Sequence, residues 1–357
     1  MIEHKLYAED LSQINQLKLP WSNLDGSSIL VTGATGLIGS ILVDTLILRN
    51  EMRKADINIW VLGRNEATLR ERFGKYFDKD YFHYILQDVS SKIVINMPID
   101  YIIHAASKGD PYSFATDPVG VMNSNYMGMF QVLELAKEKH SKKVLYISSG
   151  EVYGIQSLTN APDINKSAMG EEDYGYVNIL NPRSCYASSK RATETLCASF
   201  GYQYGIDVTI ARPCHTYGPT MLSSDSRVIG EFILKALQHS NIVMKSQGIQ
   251  KRSYCYAADT AAALIYILLL GENGEAYNIA NKNSIITIKE LAELIARIAK
   301  TKVVFEIPEE TDTKRDSNIV NGVLKSTKLE GLGWIPKYGI VEGIERTMRI
   351  YVDRRYL

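Results

Sequence analysis

A glycine-rich turn between an apolar strand and an apolar helix constrains this chain of 357 residues more than any other feature. Residues 29–31, Ile-Leu-Val, predict a buried strand, and the apolar stretch at 41–48 predicts the helix that follows. Gly33, Gly36 and Gly39 lie between the two. Such glycines allow a tight turn, a close approach of a pyrophosphate to the backbone, and close packing of the helix on the strand. The free N–H groups at the helix start then attract phosphates. Since the turn joins a strand to a helix, the sequence predicts a dinucleotide site rather than a purely structural turn.

The strands after this turn supply further candidate cofactor contacts. Strands and helices alternate along the first half of the chain, which predicts an α/β fold with a doubly wound parallel sheet. Asp88 ends one strand, where it either faces the adenine or is an ordinary loop aspartate, and the small Ala105 and Ala106 let the backbone pass under the cofactor ribose. We expect His104 to be packed rather than catalytic. In this part of the chain the residues expected at the cofactor are Gly33, Thr35, Gly36, Leu37, Ile38, Gly39, Arg64, Asp88, Val89, Ala105, Ala106, Ser107 and Asn125, and further along the chain Tyr186 and Lys190 are expected to contact it as well.

The end of the second strand, at 57–62, favours one cofactor over another. An acidic residue there would hydrogen-bond the ribose hydroxyls of NAD. This chain has Gly63 followed by Arg64, and a guanidinium suits a 2′-phosphate. We therefore favour NADP(H) over NAD(H). The alternative is that Arg64 is a solvent-facing arginine at a strand end.

Composition excludes several classes of protein. Lys plus Arg and Asp plus Glu number 40 each, and this balance argues against a general binder of nucleic acid or of membrane surfaces. The four cysteines form no C-x-x-C pair, so we expect reduced thiols and no metal site. The charged N-terminus lacks a signal core, and the apolar stretch at 257–270 contains Asp259 and is too short for a bilayer. We expect a cytoplasmic protein.

A serine, a tyrosine and a lysine form the candidate catalytic set. Ser149 ends the predicted fifth strand, at 144–148, and Tyr186 and Lys190 lie four residues apart in a helical run at 185–204. That spacing puts both side chains on one helix face. A free tyrosine, with a pKa of about 10, is a poor base at neutral pH, and an adjacent ammonium lowers that pKa. Because the pattern follows a dinucleotide turn and a serine-rich strand end, we favour catalysis over an exposed aromatic–cation pair.

With these motifs, the sequence resembles the extended short-chain dehydrogenase/reductase superfamily, in its branch of NAD(P)-dependent nucleotide-sugar epimerases and dehydratases. The likeness covers about residues 28–351. It rests on TGATGLIG (32–39), HAAS (104–107), SSGEVYG (148–154), YASSK (186–190), ARPCHTYGP (211–219), RSYCYAAD (252–259), GEAYNIAN (274–281) and LGWIPK (332–337). Local similarity is strongest to motifs of UDP-glucuronate decarboxylases and dTDP-glucose 4,6-dehydratases.

The resemblance implies a Rossmann lobe and a smaller C-terminal lobe that grips a nucleotide sugar. The domains expected are an N-terminal helical extension (1–25), a dinucleotide-binding domain (26–212 and 252–270), a substrate domain (213–251 and 271–345) and a tail (346–357). It implies catalysis by Ser149, Tyr186 and Lys190, and it puts Arg212 and Pro213 beside the nicotinamide. The residues expected at the substrate are Ser149, Gly150, Glu151, Arg183, His215, Arg227 and Arg252. For Arg183, a substrate phosphate or carboxylate and an exposed salt bridge remain equal alternatives.

Several chemistries fit this scaffold. Glu151 matches a glutamate that serves chemistry at the sugar ring in dehydratases and decarboxylases, although it could also be an exposed polar residue. Gly150 stands where the dehydratases carry an aspartate, and Gly63 and Arg64 replace the acid usual in enzymes that recycle NAD. These departures favour a reductase that consumes NADPH, for example one that makes a nucleotide-linked alditol. A non-catalytic dinucleotide-sensing regulator is the alternative of another class, and the intact Tyr186 and Lys190 weigh against it.

Two further expectations concern assembly and the long linker. The helices at 125–138 and 185–204 would pair with their copies in a homodimer, as in relatives. Residues 155–182 form a linker longer than we expect for this family, which either walls the sugar pocket or crosses the surface.

Overall fold

The computed structural model describes residues 1–155, 168–307 and 321–355. The strands are β1 (Ser28–Thr32), β2 (Asn58–Gly63), β3 (Phe82–Leu86), β4 (Tyr101–His104), β5 (Lys143–Ile147), β6 (Val208–Pro213), β7 (His215–Tyr217), β8 (Ile242–Met244), β9 (Lys251–Tyr256), β10 (Ala276–Ile279), β11 (Ile285–Thr287), β12 (Val303–Phe305) and β13 (Asn321–Gly322). The helices are α1 (Lys5–Asn15), α2 (Leu37–Arg53), α3 (Glu66–Phe73), α4 (Pro111–Thr116), α5 (Pro118–Lys139), α6 (Cys185–Tyr204), α7 (Val228–Leu237), α8 (Ala257–Leu270), α9 (Ile288–Ala299), α10 (Thr327–Gly331) and α11 (Ile340–Arg355).

Seven parallel strands form the central sheet, in the order β10-β6-β5-β4-β1-β2-β3. This arrangement confirms the predicted doubly wound sheet. The chain builds β1, β2 and β3 outward in one direction and then returns to add β4 on the other side of β1. The direction of winding therefore reverses between β1 and β4. In open sheets of this kind the crevice at the carboxyl ends of such a strand pair is the place where ligands bind.

Strand β1 is buried on both faces, as its uninterrupted apolar sequence predicts. Ile29 and Val31 pack into the hydrophobic core on one side of the sheet, whereas Leu30 packs into the core on the other side. Successive side chains of a strand point to opposite faces, so an apolar run of this kind requires a helical layer on each side.

A smaller lobe surrounds β9, and the strand pairing differs in part from the expected division of the chain. Strand β9 pairs with β7, β11 and β13 rather than with the central sheet, so 252–256 belong to the small lobe. Strand β10 pairs with β6 and completes the central sheet, although 271–345 had been expected in the small lobe. Helix α11 runs unbroken across the expected boundary at 345, so 346–355 continue a helix and do not form a separate tail.

Two helix starts illustrate how capping residues act. Helix α5 begins at Pro118 rather than at the predicted Asn125, because the Asp117 carboxylate accepts the N–H of Gly120 and proline suits the first helical position. Helix α9 begins with a capping box between Thr287 and Glu290.

Helix α1 connects the two lobes. The Tyr7 hydroxyl donates to Asp44 of α2 at 2.6 Å. The buried Asp10 accepts the Tyr256 hydroxyl of β9 at 2.7 Å and the guanidinium of Arg346 of α11 at 2.7 Å. The N-terminal extension is thus joined to a helix of the large lobe and to a strand of the small lobe.

In the ranges that the structure covers, no helix has the length and apolarity needed to cross a bilayer.

Gly39 provides a direct test of the close packing between α2 and β1. A Cβ at this position would lie 2.2 Å from the carbonyl oxygen of Gly33, so Gly39→Ala must displace the turn. We expect a loss of stability of about 1–3 kcal/mol and loss of dinucleotide binding. Thermal unfolding and cofactor titration measure the two effects. Gly331→Ala is the matched control, because its added Cβ would have no atom within 4 Å; equal behaviour of the two variants would contradict the account.

Candidate active site

The glycine turn lies at the reversal point of the sheet and has the form of a pyrophosphate cradle. Gly33 has a φ of +65°, and a Cβ there would lie 2.6 Å from the Ala106 nitrogen at the end of β4. Gly36 caps α2, and within the described chain no side chain hydrogen-bonds at this cap. The first N–H groups of α2 consequently face the crevice without a helical acceptor. A turn with no room for side chains and with open N–H donors fits a dinucleotide pyrophosphate.

Hydrogen bonds fix the carboxyl ends of β1 and β4 beside this turn. The Thr32 hydroxyl bonds the His104 ring at 2.8 Å and accepts the Ala106 N–H at 3.3 Å. The Ser107 hydroxyl donates to the side-chain amide oxygen of Asn125 at 2.7 Å. Burial lowers the pKa of His104 to about 3, so this histidine is a neutral packed group as expected.

Arg64 and Asp88 meet at the ends of β2 and β3, where the adenosine half of a cofactor would lie. Their charged groups are 3.6 Å apart, and the side chains are 63% and 42% exposed. Hydrogen bonds from Ser90 are the largest factor lowering the pKa of Asp88, and Arg64 adds to them. Val89 turns into the core instead, so only its backbone can reach a ligand.

The candidate catalytic residues converge at the carboxyl ends of the central strands, on the same side of the sheet as the glycine turn. Tyr186 and Lys190 are both buried, at 9% and 1% exposure, which excludes the exposed aromatic–cation pair. The Lys190 ammonium donates to the carbonyl oxygen of Ile147 at 2.8 Å and lies 5.7 Å from the centre of the Tyr186 ring. Ser149 follows β5 directly, and its side chain accepts the N–H of Glu151 at 3.1 Å.

Burial acts on this pair in opposite directions. It lowers the pKa of Lys190 to about 7 because a desolvated ammonium is costly. It raises the pKa of Tyr186, which the hydroxyl groups of Ser149 and Ser107 facing it lower in part. The isolated protein therefore holds Tyr186 as a neutral phenol, and a positive charge brought next to it would favour the phenolate.

Sequence reasoning missed the segment that covers Tyr186. The ring of Phe114 in α4 stacks on the Tyr186 ring with centroids 4.8 Å apart. A Cβ on Gly109 would lie 3.4 Å from the Tyr186 hydroxyl. Asp110 caps α4 and accepts the Ser226 hydroxyl of the small lobe at 3.1 Å. The capping pattern Asp-Pro at 110–111 was the available signal for this helix.

A second group of expected residues gathers where the small lobe faces Tyr186. His215 and Tyr254 are ring neighbours, with centroids 5.5 Å apart. Burial, with the charges of Arg252 and Arg227, lowers the pKa of His215 to about 3. The Arg227 guanidinium pairs with Asp225 at 2.6 Å and donates to the carbonyl oxygen of Thr216 at 2.9 Å.

Glu151 connects this group to the catalytic residues. Its charge contributes to raising the pKa of Tyr186 and acts on Arg252 as well. An acid between the tyrosine and an arginine of the small lobe can accept a proton from a bound sugar or orient it. Arg252 donates to the carbonyl oxygen of Lys251 at 2.8 Å, and its guanidinium lies beside Gly322.

The expected cofactor role of the Arg212 side chain needs correction. Its guanidinium forms an ion pair with Glu194, at 2.7 Å and 3.0 Å, and donates to the Tyr153 hydroxyl at 3.0 Å. A fourth contact, to the carbonyl oxygen of Glu171, is 2.9 Å long. All three guanidinium nitrogens of this buried arginine donate hydrogen bonds within the protein. Only the backbone at residue 212 and Pro213 can therefore face a nicotinamide.

The space beside Gly150 is filled. A Cβ at Gly150 would lie 2.9 Å from a methyl carbon of Leu324. Leu324 belongs to a buried apolar cluster with Val152 and Met169. An aspartate at position 150 would therefore contact an apolar side chain. This packing fits a chain that lacks the aspartate expected here in dehydratases.

Arg183 lies beside the Phe114 ring that covers Tyr186, and among the described residues it has no acidic partner. Its guanidinium carbon is 4.7 Å from the centre of the Phe114 ring, and in the described chain its buried Nε has no hydrogen-bond acceptor. Among the residues that the structure describes, no acidic side chain forms the exposed salt bridge considered above.

Part of the linker can be described. Met169 forms backbone hydrogen bonds of 2.8 Å with Val323 and Lys325, and the Glu171 carboxylate accepts the Asn278 N–H at 2.8 Å. Residues 169–171 thus pack between the lobes, whereas 178–182 are exposed and 156–167 lie outside the described residues. Among the residues covered by the structure, no group of three or more His, Cys, Asp or Glu could hold a metal ion.

Comparison with known families gives a match to one family model. Residues 29–280 match the family described as "NAD dependent epimerase/dehydratase family". UDP-glucuronic acid decarboxylase 3 of Arabidopsis thaliana is 33% identical over 320 residues, which cover 88% of this chain and 86% of the relative. UDP-glucuronic acid decarboxylase 1 of Xenopus tropicalis is 30% identical over 332 residues, covering 92% and 73%.

Solved structures show the same fold. UDP-glucose 4-epimerase of Thermotoga maritima, solved with UDP-glucose, gives a TM-score of 0.76 at 22% identity and covers 92% of this chain and 99% of its own. A dTDP-glucose 4,6-dehydratase of Streptomyces venezuelae with bound NAD gives a TM-score of 0.78 at 23% identity, covering 92% and 98%.

Proposed function

Since the chain belongs to the NAD dependent epimerase/dehydratase family, we propose that it oxidises or reduces a carbon of a nucleotide-linked sugar, with Tyr186 as the acid and base. One observation carries the proposal: Tyr186, Lys190 and Ser149 meet at the sheet edge that also holds the glycine turn. The cofactor supplies a hydride acceptor or donor when it is bound.

The residues of the chain account for the proton movement. Ser149 hydrogen-bonds the reacting oxygen of the sugar and orients it toward Tyr186. The Tyr186 phenolate removes the proton of that oxygen during oxidation, and the phenol returns it during reduction. Lys190 stabilises the phenolate by its charge, and the stacked Phe114 limits access of water to the ring.

The small lobe would hold the nucleotide diphosphate. Arg252 and Arg227 bring two positive charges to the side of the crevice facing Tyr186, and His215 offers a neutral ring beside them. Guanidinium groups suit phosphate oxygens because they donate in pairs. The relatives named as UDP-glucuronic acid decarboxylases, and the epimerase solved with UDP-glucose, support a nucleotide-linked sugar.

Glu151 favours a second chemistry after oxidation. Its charge acts on both Tyr186 and Arg252, which is consistent with a group working at the sugar ring in a decarboxylation or elimination. The filled space at Gly150 weighs against a dehydratase that needs an acid there. The reductase alternative is supported by Arg64 and by the absence of an acid at Gly150.

We further propose that the cofactor is NADP(H), with NAD(H) the alternative. Arg64 is exposed at the end of β2, beside Asp88, where a 2′-phosphate would lie. The Gly63 position next to it carries no carboxylate that would repel this phosphate.

A homodimer is proposed from one exposed apolar helix face. Val119, Met122 and Tyr126 lie on α5 at positions i, i+3 and i+7, and they are 77%, 46% and 39% exposed. A contiguous apolar stripe of this kind suits a partner helix. The four free cysteines are in keeping with a cytoplasmic enzyme.

Replacing Tyr186 with Phe tests the reaction. With UDP-, dTDP-, GDP- and CDP-linked sugars and keto sugars as the panel, turnover should fall by about 10²–10⁴-fold, while cofactor affinity should not change. Product chromatography and absorbance of the reduced nicotinamide are the measurements. Tyr202→Phe is the matched control, since Tyr202 lies on the same helix and is 97% exposed. Full activity of Tyr186→Phe, or no turnover by the parent protein, would favour the regulator.

The same assay separates the chemistries. Net oxidation of NADPH identifies a reductase. Conversion without net change of the cofactor indicates that the hydride returns to the sugar, and Glu151→Gln should then reduce the step after oxidation.

Arg64→Ala tests the cofactor. Loss of a charged hydrogen bond of about 1.5–3 kcal/mol should weaken NADPH binding by roughly 10- to 100-fold and leave NADH binding unchanged. Fluorescence titration measures both. Arg70→Ala is the control, because Arg70 is an exposed arginine on nearby α3, paired with Glu66. Tighter binding of NADH than NADPH by the parent protein would overturn the assignment.

Met122→Glu tests the assembly. The parent should scatter light as two chains of 40.0 kDa at micromolar concentration, and the variant as one, because a buried carboxylate at an apolar interface is costly. Met52→Glu, at a 49% exposed methionine of α2, should leave the mass unchanged. A monomeric parent protein would refute the dimer.

A further inference from the structure

Glu194 lies one helical turn beyond Lys190 and two turns beyond Tyr186. The three residues are spaced i, i+4 and i+8 on α6, so they share one face of the helix. Glu194 is not among the predicted site residues, because it falls outside the tyrosine–lysine motif. Its carboxylate, however, has the most extensive set of polar contacts along this face.

The carboxylate joins α6 to the ends of two strands. One oxygen accepts the Ser148 hydroxyl at 2.5 Å, and both oxygens are engaged by the Arg212 guanidinium of β6. Ser148 immediately precedes Ser149, and its N–H donates to the Ala211 carbonyl oxygen at 2.7 Å. The position of Ser149 relative to α6 is therefore fixed through Glu194.

The network continues to the segment that carries Glu151. Arg212 donates to the Tyr153 hydroxyl, which in turn donates to Asn278 at 2.6 Å. Arg191 of α6 donates to the carbonyl oxygens of Val152 and Gly175, at 2.5 Å and 2.8 Å. A rigid frame of this kind holds side chains at the geometry that a reaction needs.

We propose that Glu194 is a positioning residue for the reaction, because its carboxylate locks the strand end bearing Ser149 against α6 and keeps a negative charge beside the Lys190 ammonium. This inference rests on the proposed function for the roles of Tyr186 and Lys190. It assigns to Glu194 both a mechanical and an electrostatic part, and the two can be measured separately.

The electrostatic role of Glu194 follows from the titratable groups that surround the Lys190 ammonium. The titratable groups around its ammonium are Glu194, Cys197 and Tyr186 from α6, Tyr146 from β5, and His104 from β4. Burial raises the pKa of Cys197, Tyr146 and Tyr186 and lowers that of His104 to about 3. The Glu194 carboxylate, ion-paired with Arg212, is thus the negatively charged neighbour of Lys190 among the residues described.

The test measures stability against pH and needs no substrate. Lys190 has a folded-state pKa of about 7 and an unfolded value of about 10.4. Folded protein binds fewer protons between these values, so this lysine makes stability rise with pH in that window. Lys190→Met removes the effect. The difference in Tm between Lys190→Met and the parent should therefore begin to fall near pH 7 and continue to fall as pH rises.

Removing either partner of the Glu194–Arg212 ion pair should change the pH at which the Tm difference begins to fall. The two changes should have opposite signs. Glu194→Gln removes the negative charge and should shift the onset lower by about one pH unit. Arg212→Met leaves the carboxylate without its cation and should shift the onset higher. Ser148→Ala, which breaks the 2.5 Å contact without changing charge, should lower Tm and leave the onset in place.

The outcomes distinguish the inference from the proposed function. If Arg212→Met does not fold, the double variant Glu194→Gln/Arg212→Met replaces it, and its onset should lie above that of Glu194→Gln, because the unpaired guanidinium is removed as well. One onset for all variants would overturn the electrostatic role, and an unchanged Tm in Ser148→Ala would overturn the mechanical one. Once a substrate is known, the pH at which turnover declines should shift in the same order. Absence of any turnover would refute the proposed function and leave the stability result standing.

Discussion

The contact between the start of α2 and the end of β1 is the constraint on which the site depends. Gly39 packs against the carbonyl of Gly33, and Gly33 packs against the backbone at Ala106. These contacts bring β1, α2 and β4 so close that only backbone lies between them, at the point where the sheet reverses its winding. The N–H groups of α2 are thereby exposed to the crevice, and every other part of the site is arranged around the phosphates they would hold.

Burial sets the chemistry of the part of the site that lies on α6. Helix α6 packs so deeply on the sheet that Lys190 loses contact with water and donates to the end of β5. A desolvated ammonium is costly, and the frame of Glu194, Arg212 and Ser148 offsets part of that cost while it fixes the strand ends. Position and charge are consequently set by the same contacts, and the small lobe adds arginines on the facing side.

The sequence predicted the elements whose signals are local. The turn at Gly33–Gly39 and the tyrosine–lysine spacing are each local in the sequence, so both could be predicted as candidate sites before the fold was known. Long-range contacts could not be read in this way. The engagement of Arg212 by Glu194, the filled space at Gly150, and the assignment of β9 and β10 to their sheets each depend on residues distant in the chain. The cover over Tyr186 was missed for the same reason, since Phe114 meets it only in three dimensions.

A crystal structure of the protein with NADP⁺ bound would test the central claim most directly, namely that one sheet edge holds both the dinucleotide and the reacting tyrosine. The account predicts the pyrophosphate against the first N–H groups of α2, the 2′-phosphate at Arg64, and the nicotinamide beside the hydroxyl of Tyr186. A dinucleotide bound elsewhere, or a nicotinamide turned away from Tyr186 and Lys190, would contradict it.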